Sequence, residues 1–173
     1  MSENKKIVPA NNFFDSKNTE LDLIIIADNL KTPENMGAVI RLAGNFGAQK
    51  VIFINKEEIN IRKINRFSAS VNNLVETHFV LKAEQIEKYI DKSYKIIALD
   101  TVNNAKNINK FKFPKKIVLV VGNEKYGVSN ELLNIVSESI YIPMNGKVKS
   151  MNVTHALAVA LYEYSKIYFN LII

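Results

Sequence analysis

The chain has 173 residues, 47% of them hydrophobic and 23% charged, with a formal net charge of +6. That length suits one domain with a core of its own. The absence of Cys excludes disulfide scaffolds, Cys-ligated zinc, iron–sulfur clusters and thiol nucleophiles, and two histidines (His78 and His155) do not make a multi-histidine metal site.

Residues 1–20 are polar, with Asn11-Asn12 and Ser16-Lys17-Asn18 as loop signals, and read as an N-terminal extension to a domain over 21–173. Their first six residues lack the apolar segment of a signal peptide. No apolar run approaches the roughly 18–20 residues of a membrane span. A cytoplasmic location is the expectation.

A β-branched run predicts a strand over 22–27. Residues 33–46 carry Met36, Val39, Ile40, Ala43 and Phe46 at helical spacing, with Thr32 as N-cap, Pro33 at the first position and Gly47 closing the helix. Strands are expected over 51–54 and 75–80, and a helix over 83–90. Residues 96–99 and 117–121 are fully apolar, the mark of strands buried on both faces of a parallel sheet. A short helix over 129–136, a short strand over 140–142 and a long helix over 152–168 complete the chain. Strands alternating with helices give an α/β fold with a mostly parallel sheet flanked by helices.

The basic balance has two readings: attraction to a polyanion through counterion release, or solubility alone. Lys, Asn and Ile are heavily used, as an AT-rich genome would dictate, so the three arginines (Arg41, Arg62 and Arg66) carry more information than the lysines. The stretch 103–116 holds five Lys and no acid. It is either a solvated loop or an edge that tracks phosphates, and the second reading is preferred.

Several common chemistries fall away. Residues 122–127 (Gly-Asn-Glu-Lys-Tyr-Gly) have P-loop glycine spacing, but the required Lys-Ser/Thr does not follow, so nothing would hold a terminal phosphate and Mg²⁺. No G-x-G-x-x-G follows a strand, and no G-x-S-x-G nucleophile elbow is present. The sequon Asn152-Val153-Thr154 would go unused in a cytoplasmic chain.

Three segments remain, each just after a predicted strand. The first, residues 35–41, pairs Asn35 with Arg41 on one helix; six residues are roughly 600° of rotation, so both reach one cleft only if Asn35 sits in the first turn. The second is the glycine-bounded loop 122–127, where backbone groups can approach a ligand closely. The third, residues 142–154, runs from a strand end through a Pro/Gly turn into the last helix. Loops at the carboxyl ends of parallel strands are where open α/β sheets bind ligands. Each residue also has an ordinary reading: Arg41 as a surface residue, Glu124 as a solvated acid, Ser150 or Asn152 as a helix cap.

Together the segments read N-x-G-x-x-x-R, G-x-E-x-x-G and I-P-M-x-G-x-x-x-S-M-N-V-T-x-A. They resemble motifs 1, 2 and 3 of the SpoU/TrmH family of SPOUT-class RNA 2′-O-ribose methyltransferases, in order, over residues 22 to about 165. Met151 stands where Leu is commoner, and in Arg66-Phe67-Ser68-Ala69-Ser70 the last Ser replaces the family's usual Gly.

The resemblance implies a SPOUT fold with a C-terminal trefoil knot, and an S-adenosylmethionine-dependent RNA 2′-O-ribose methyltransferase acting on tRNA, with rRNA second. It implies Leu99, Gly122, Asn123, Gly127, Ile142, Met144, Ser150, Met151 and Val153 at the cofactor. Catalysis falls to Arg41, Asn35, Glu124, Ser150 and Asn152, and RNA contacts to Arg41, Arg62, Lys63 and Arg66. No metal or membrane is involved. Family members are usually homodimers, which suits the broad apolar face of the last helix (Ala156, Leu157, Val159, Ala160, Leu161). The rivals are an RNA-binding homologue without catalysis, an RNA base methyltransferase and a flavodoxin-like small-ligand domain.

Overall fold

The computed structural model describes residues 21–57, 59–68, 71 and 74–169; the 1–20 extension, Ala69 and Ser70 lie outside the described residues. Seven strands form one sheet: β1 (Leu21–Asp28), β2 (Ala48–Ile54), β3 (Glu76–Val80), β4 (Lys95–Leu99), β5 (Lys106–Asn107), β6 (Ile117–Val121) and β7 (Glu138–Tyr141). Their order is β3-β2-β1-β6-β4-β7-β5, and each of the described pairings is parallel. The helices are α1 (Pro33–Asn45), α2 (Ile61–Ser68), α3 (Asn130–Leu133) and α4 (Val153–Phe169).

The period-2 geometry of a strand sorts the core into two layers. Leu23, Ile25 and Ala27 of β1 and Ile117, Leu119 and Val121 of β6 face one apolar cluster, which α1 and α4 cover. The alternate residues Ile24, Ile26, Val118 and Val120 face a second cluster, closed by Ile86, Val128 and Leu132. Burial on both faces is why Leu23–Ala27 of β1 and the whole of β6 are apolar and rich in Ile and Val.

α1 starts as its sequence dictates. The Thr32 hydroxyl accepts from the Asn35 amide at 3.2 Å, and Pro33 occupies the first turn. A Cβ on Gly37 would lie 2.5 Å from Phe67 Cβ, so glycine is what lets α2 dock on α1.

Four expectations need correction. Residues 83–90 form a 3₁₀ turn over Ala83–Lys88 instead of an α-helix: Ile86 is its one buried residue, and the Gln85 side chain ties the start by accepting from Leu81 and Lys82 amides. The helix expected over 129–136 is the single turn α3, because the Ser137 amide is drawn to Ile96 O and starts β7 early. The strand expected over 140–142 is therefore Glu138–Tyr141. The stretch 103–116 contains β5, paired with β7, and a 3₁₀ turn at Ile108–Lys110. Phe111 and Phe113 anchor it by packing edge-on to each other and, through Phe113, to Tyr164. Its five lysines all face solvent.

Tyr164 ties this segment to the core. It is fully buried, and its hydroxyl reaches the carbonyls of Lys115 and Asp22. Tyr164→Phe should cost about 1–3 kcal/mol, the scale of an unmet buried polar group. Chemical denaturation checks this, and an unchanged midpoint would show those carbonyls to be satisfied otherwise.

Candidate active site

With the strands parallel, the segments after β1, β6, β4 and β7 emerge side by side at one edge of the sheet. Two acids at strand ends fix them. The buried Asp28 accepts from the Ser129 amide at 2.7 Å and from Asn29 Nδ2 at 2.7 Å. Asp100 accepts from the Val128 amide through Oδ2 and from the Thr101 amide through Oδ1, each at 2.7 Å. Carboxylates that accept backbone N–H bonds make strong ties. Neither acid was singled out from sequence, although a long apolar run ending in Asp at both 21–28 and 96–100 is a visible signal.

Between these ties the loop after β6 closes on itself. The amides and carbonyls of Asn123 and Gly127 exchange two 2.9 Å bonds. Asn123 Oδ1 accepts from the Lys125 and Tyr126 amides, while its Nδ2 donates to Asn29 O at 2.6 Å. A Cβ on Gly122 would sit 2.1 Å from Gly127 C and 2.2 Å from Val128 N, and Gly127 has φ +71° beside Asp100. Both glycines are required by the shape of the loop.

The three segments meet through polar side chains. Asn35 lies in the first turn of α1, and its Nδ2 donates to Glu124 Oε1 at 2.7 Å. The other carboxylate oxygen of Glu124 accepts from the Lys31 amide at 3.3 Å. Asn152 Nδ2 approaches Asn35 Oδ1 at 3.4 Å, while Asn152 Oδ1 accepts from the Thr154 amide at 2.8 Å. Asn152 is thus the cap of α4 and a member of the network together; Ser150 is not the cap. Asn152→Ala should lose about 1 kcal/mol of stability with the cap. Asn152→Ser, which restores a capping oxygen but no donor to Asn35, should recover most of that in a denaturation series. Equal losses in both would show that the cap adds no stability.

A cleft of about 250 Å³ opens beside the network. All nine residues expected at a cofactor line it: Leu99, Gly122, Asn123, Gly127, Ile142, Met144, Ser150, Met151 and Val153. So do Asp100, Thr101, Lys125, Tyr141, Lys149 and Ala156, which sequence reasoning missed, and Glu124, which it assigned to catalysis. One wall is apolar and the other presents loop backbone, the usual balance of a small-molecule site. Lys149 Nζ donates to Met144 O at 3.1 Å across the turn after β7. Arg41 stands apart: it lies six residues, about 9 Å, along α1 from Asn35. It is exposed and has no hydrogen-bond or ion-pair partner among the described residues. Arg62, Lys63 and Arg66 are exposed on α2. No group of three or more His, Cys, Asp or Glu that could hold a metal occurs among the described residues.

A parallel seven-stranded sheet with this loop cluster is the SpoU/TrmH type of SPOUT fold. It superposes on the crystal structure of the Aquifex aeolicus TrmH/SpoU tRNA modifying enzyme with TM-score 0.74 and 28% identity, covering 88% of this chain and 78% of that one. The SpoU methyltransferase AviRb of Streptomyces viridochromogenes, solved in complex with the cofactor AdoMet, shares the fold: TM-score 0.75, 21% identity, 87% and 60% covered. The chain matches the SpoU rRNA Methylase family over residues 22–162 and belongs to it. A tRNA (guanosine(18)-2'-O)-methyltransferase of A. aeolicus (strain VF5) is 31% identical over 152 residues, 82% of this chain and 68% of that protein.

Proposed function

We propose that this chain transfers the methyl group of S-adenosylmethionine to a ribose 2′-hydroxyl of RNA, with tRNA the favoured substrate and rRNA the second. The observation that carries this reading is the Asn35–Glu124–Asn152 network, which joins three family motifs at the lip of one cleft.

The cleft suits the cofactor. Its volume of about 250 Å³ lies near the lower end, about 300 Å³, of ligand pockets. Apolar Leu99, Ile142 and Met144 offer a bed for a flat base, and the glycine-bounded loop brings backbone donors and acceptors to its edge. When bound, S-adenosylmethionine supplies an electrophilic methyl group. What the protein adds is position and charge. Asn35 and Asn152, held by Glu124 and by the start of α4, orient the ribose hydroxyl; Ser150 borders the same lip. A guanidinium is a poor general base, which leaves Arg41 an electrostatic role. Its fork, unpaired among the described residues, serves as a clamp on an RNA phosphate or on the developing oxyanion.

A tRNA substrate is supported by the A. aeolicus relative's name and by the exposed Arg62, Lys63, Arg66 and the lysines of 106–116. The proposal includes the family's trefoil knot: β6 returns between β1 and β4, and α4 then packs against α1. It includes a homodimer, for which the exposed Val159 and Tyr162 on α4 offer an apolar face, and a cytoplasmic location. The test is transfer of labelled methyl to unmodified total tRNA and, in parallel, to rRNA. Label on tRNA is expected; label on rRNA alone would move the substrate. Light scattering should give twice the monomer mass, and a monomer would remove the dimer from the account.

A further inference from the structure

A second cleft, of about 410 Å³, abuts the first and shares Asn123 with it. The loop after β6 divides the two: Glu124 and Lys125 line the first, Tyr126 the second. Tyr126 is 71% exposed at the tip of a loop whose backbone is pinned by Asn123. A large aromatic ring held in water on a fixed loop has no packing role. Lys31 and Lys125 stand over that ring at 5.7 Å and 5.1 Å from its centroid. Lys56 and Lys63 line the same cleft, with Glu57 the one acid among the described lining residues.

The lining also contains a polar group that the described residues leave open. Asn55 is 7% exposed; its Nδ2 donates to Leu30 O at 2.9 Å and its amide to Val80 O. Its Oδ1 is a buried acceptor with no hydrogen-bond partner among the described residues. Such an atom calls for an N–H donor. An exposed aromatic face flanked by cations, beside an unmet acceptor, has the chemistry of a seat for one unstacked nucleobase. Every base has a π-face to stack and at least one N–H on its pairing edge.

We infer that this second cleft takes a base of the RNA substrate, stacked on Tyr126, with Lys31 and Lys125 against the flanking phosphates and Asn55 on the base edge. The inference rests on the reading of the chain as an RNA methyltransferase and gives that reading a substrate-positioning residue, Tyr126. Because the two clefts share a wall, a base seated here places its nucleotide next to the Asn35–Glu124–Asn152 lip. In the motif G-x-E-x-x-G, Tyr126 fills an unspecified position, so the motif gave it no role.

The test is binding of fluorescein-labelled, unmodified tRNA to the full chain by anisotropy, for wild type, Tyr126→Ala and Tyr126→Trp. Stacking on an aromatic is worth enough that Tyr126→Ala should weaken RNA binding about tenfold or more, while Tyr126→Trp stays near wild type. S-adenosylmethionine affinity and melting temperature should not move in either variant, which separates a base contact from a structural role of the loop. RNA affinity indifferent to Tyr126→Ala would overturn the inference, as would parallel loss of RNA and cofactor binding in both variants. The assay requires no methyl transfer. A chain that binds RNA through Tyr126 yet methylates nothing would sink the catalytic reading alone; an active chain indifferent to Tyr126 would sink this one alone.

Discussion

Gly122→Ala is expected to lower S-adenosylmethionine affinity at least about 100-fold, a loss of about 2.8 kcal/mol at 1.4 kcal/mol per decade. The added Cβ meets Gly127 C at 2.1 Å and Val128 N at 2.2 Å, and both are backbone atoms of the loop's own return strand. No side chain can swing aside to relieve the contact. The paired 2.9 Å bonds between Asn123 and Gly127 must open, and the Asp100 tie to Val128 goes with them. The sheet beneath is built from other residues, so the protein should still fold, with overpacking costing about 1–3 kcal/mol. Calorimetric titration with S-adenosylmethionine beside a thermal melt measures both. Affinity within about threefold of wild type would show that the loop does not form the cofactor site.

Arg41→Ala should do the opposite: leave the cofactor bound and stop the chemistry. Arg41 does not line the 250 Å³ cleft and makes no polar contact among the described residues. Its removal should shift stability by no more than about 0.5 kcal/mol, as for other surface positions. Loss of one charge-stabilising donor typically costs about 10²–10³ in rate, and that is the expected fall in methyl transfer. Steady-state kinetics divide its two possible duties. A clamp on an RNA phosphate shows as a raised KM for RNA, and stabilisation of the oxyanion as a lowered kcat. Arg41→Lys should recover little where the planar fork matters. An unchanged rate in Arg41→Ala would remove Arg41 from the mechanism.

What was legible in the sequence follows from what burial does to composition. β1 and β6 are buried on both faces, so Leu23–Ala27 and the whole of β6 read as unbroken apolar runs that few other structures explain. α1 and α4 carry caps and helical periodicity and were placed to within a residue or two. α2 was missed because its eight residues make barely two turns, too few for the spacing of Ile61, Ile64 and Phe67 to stand out amid Arg62, Lys63 and Arg66. β5 was missed because two residues have no period to detect; β7 makes it a strand by offering a parallel edge.

At the site, the glycines and the Asn, Glu and Arg of the motifs were visible as residue types at fixed spacing. The contacts that join them were not, because Asn35 and Glu124 are 89 positions apart and Asn35 and Asn152 are 117 apart. Asp28 and Asp100 tie to the backbone amides of Ser129, Val128 and Thr101, and nothing in the sequence marks those amides as their partners. Tyr126 and Asn55 matter through exposure in one case and an unmet acceptor in the other, which are properties of the folded surface alone.

The central claim is that the methyl group goes to a ribose oxygen, and the nature of the product tests it most directly. RNA labelled by this protein from S-adenosylmethionine should be hydrolysed in alkali, which needs a free 2′-hydroxyl to cleave the adjoining phosphodiester. Label in an alkali-resistant dinucleotide is the predicted result. Label in ordinary mononucleotides would place the methyl on a base and contradict the account.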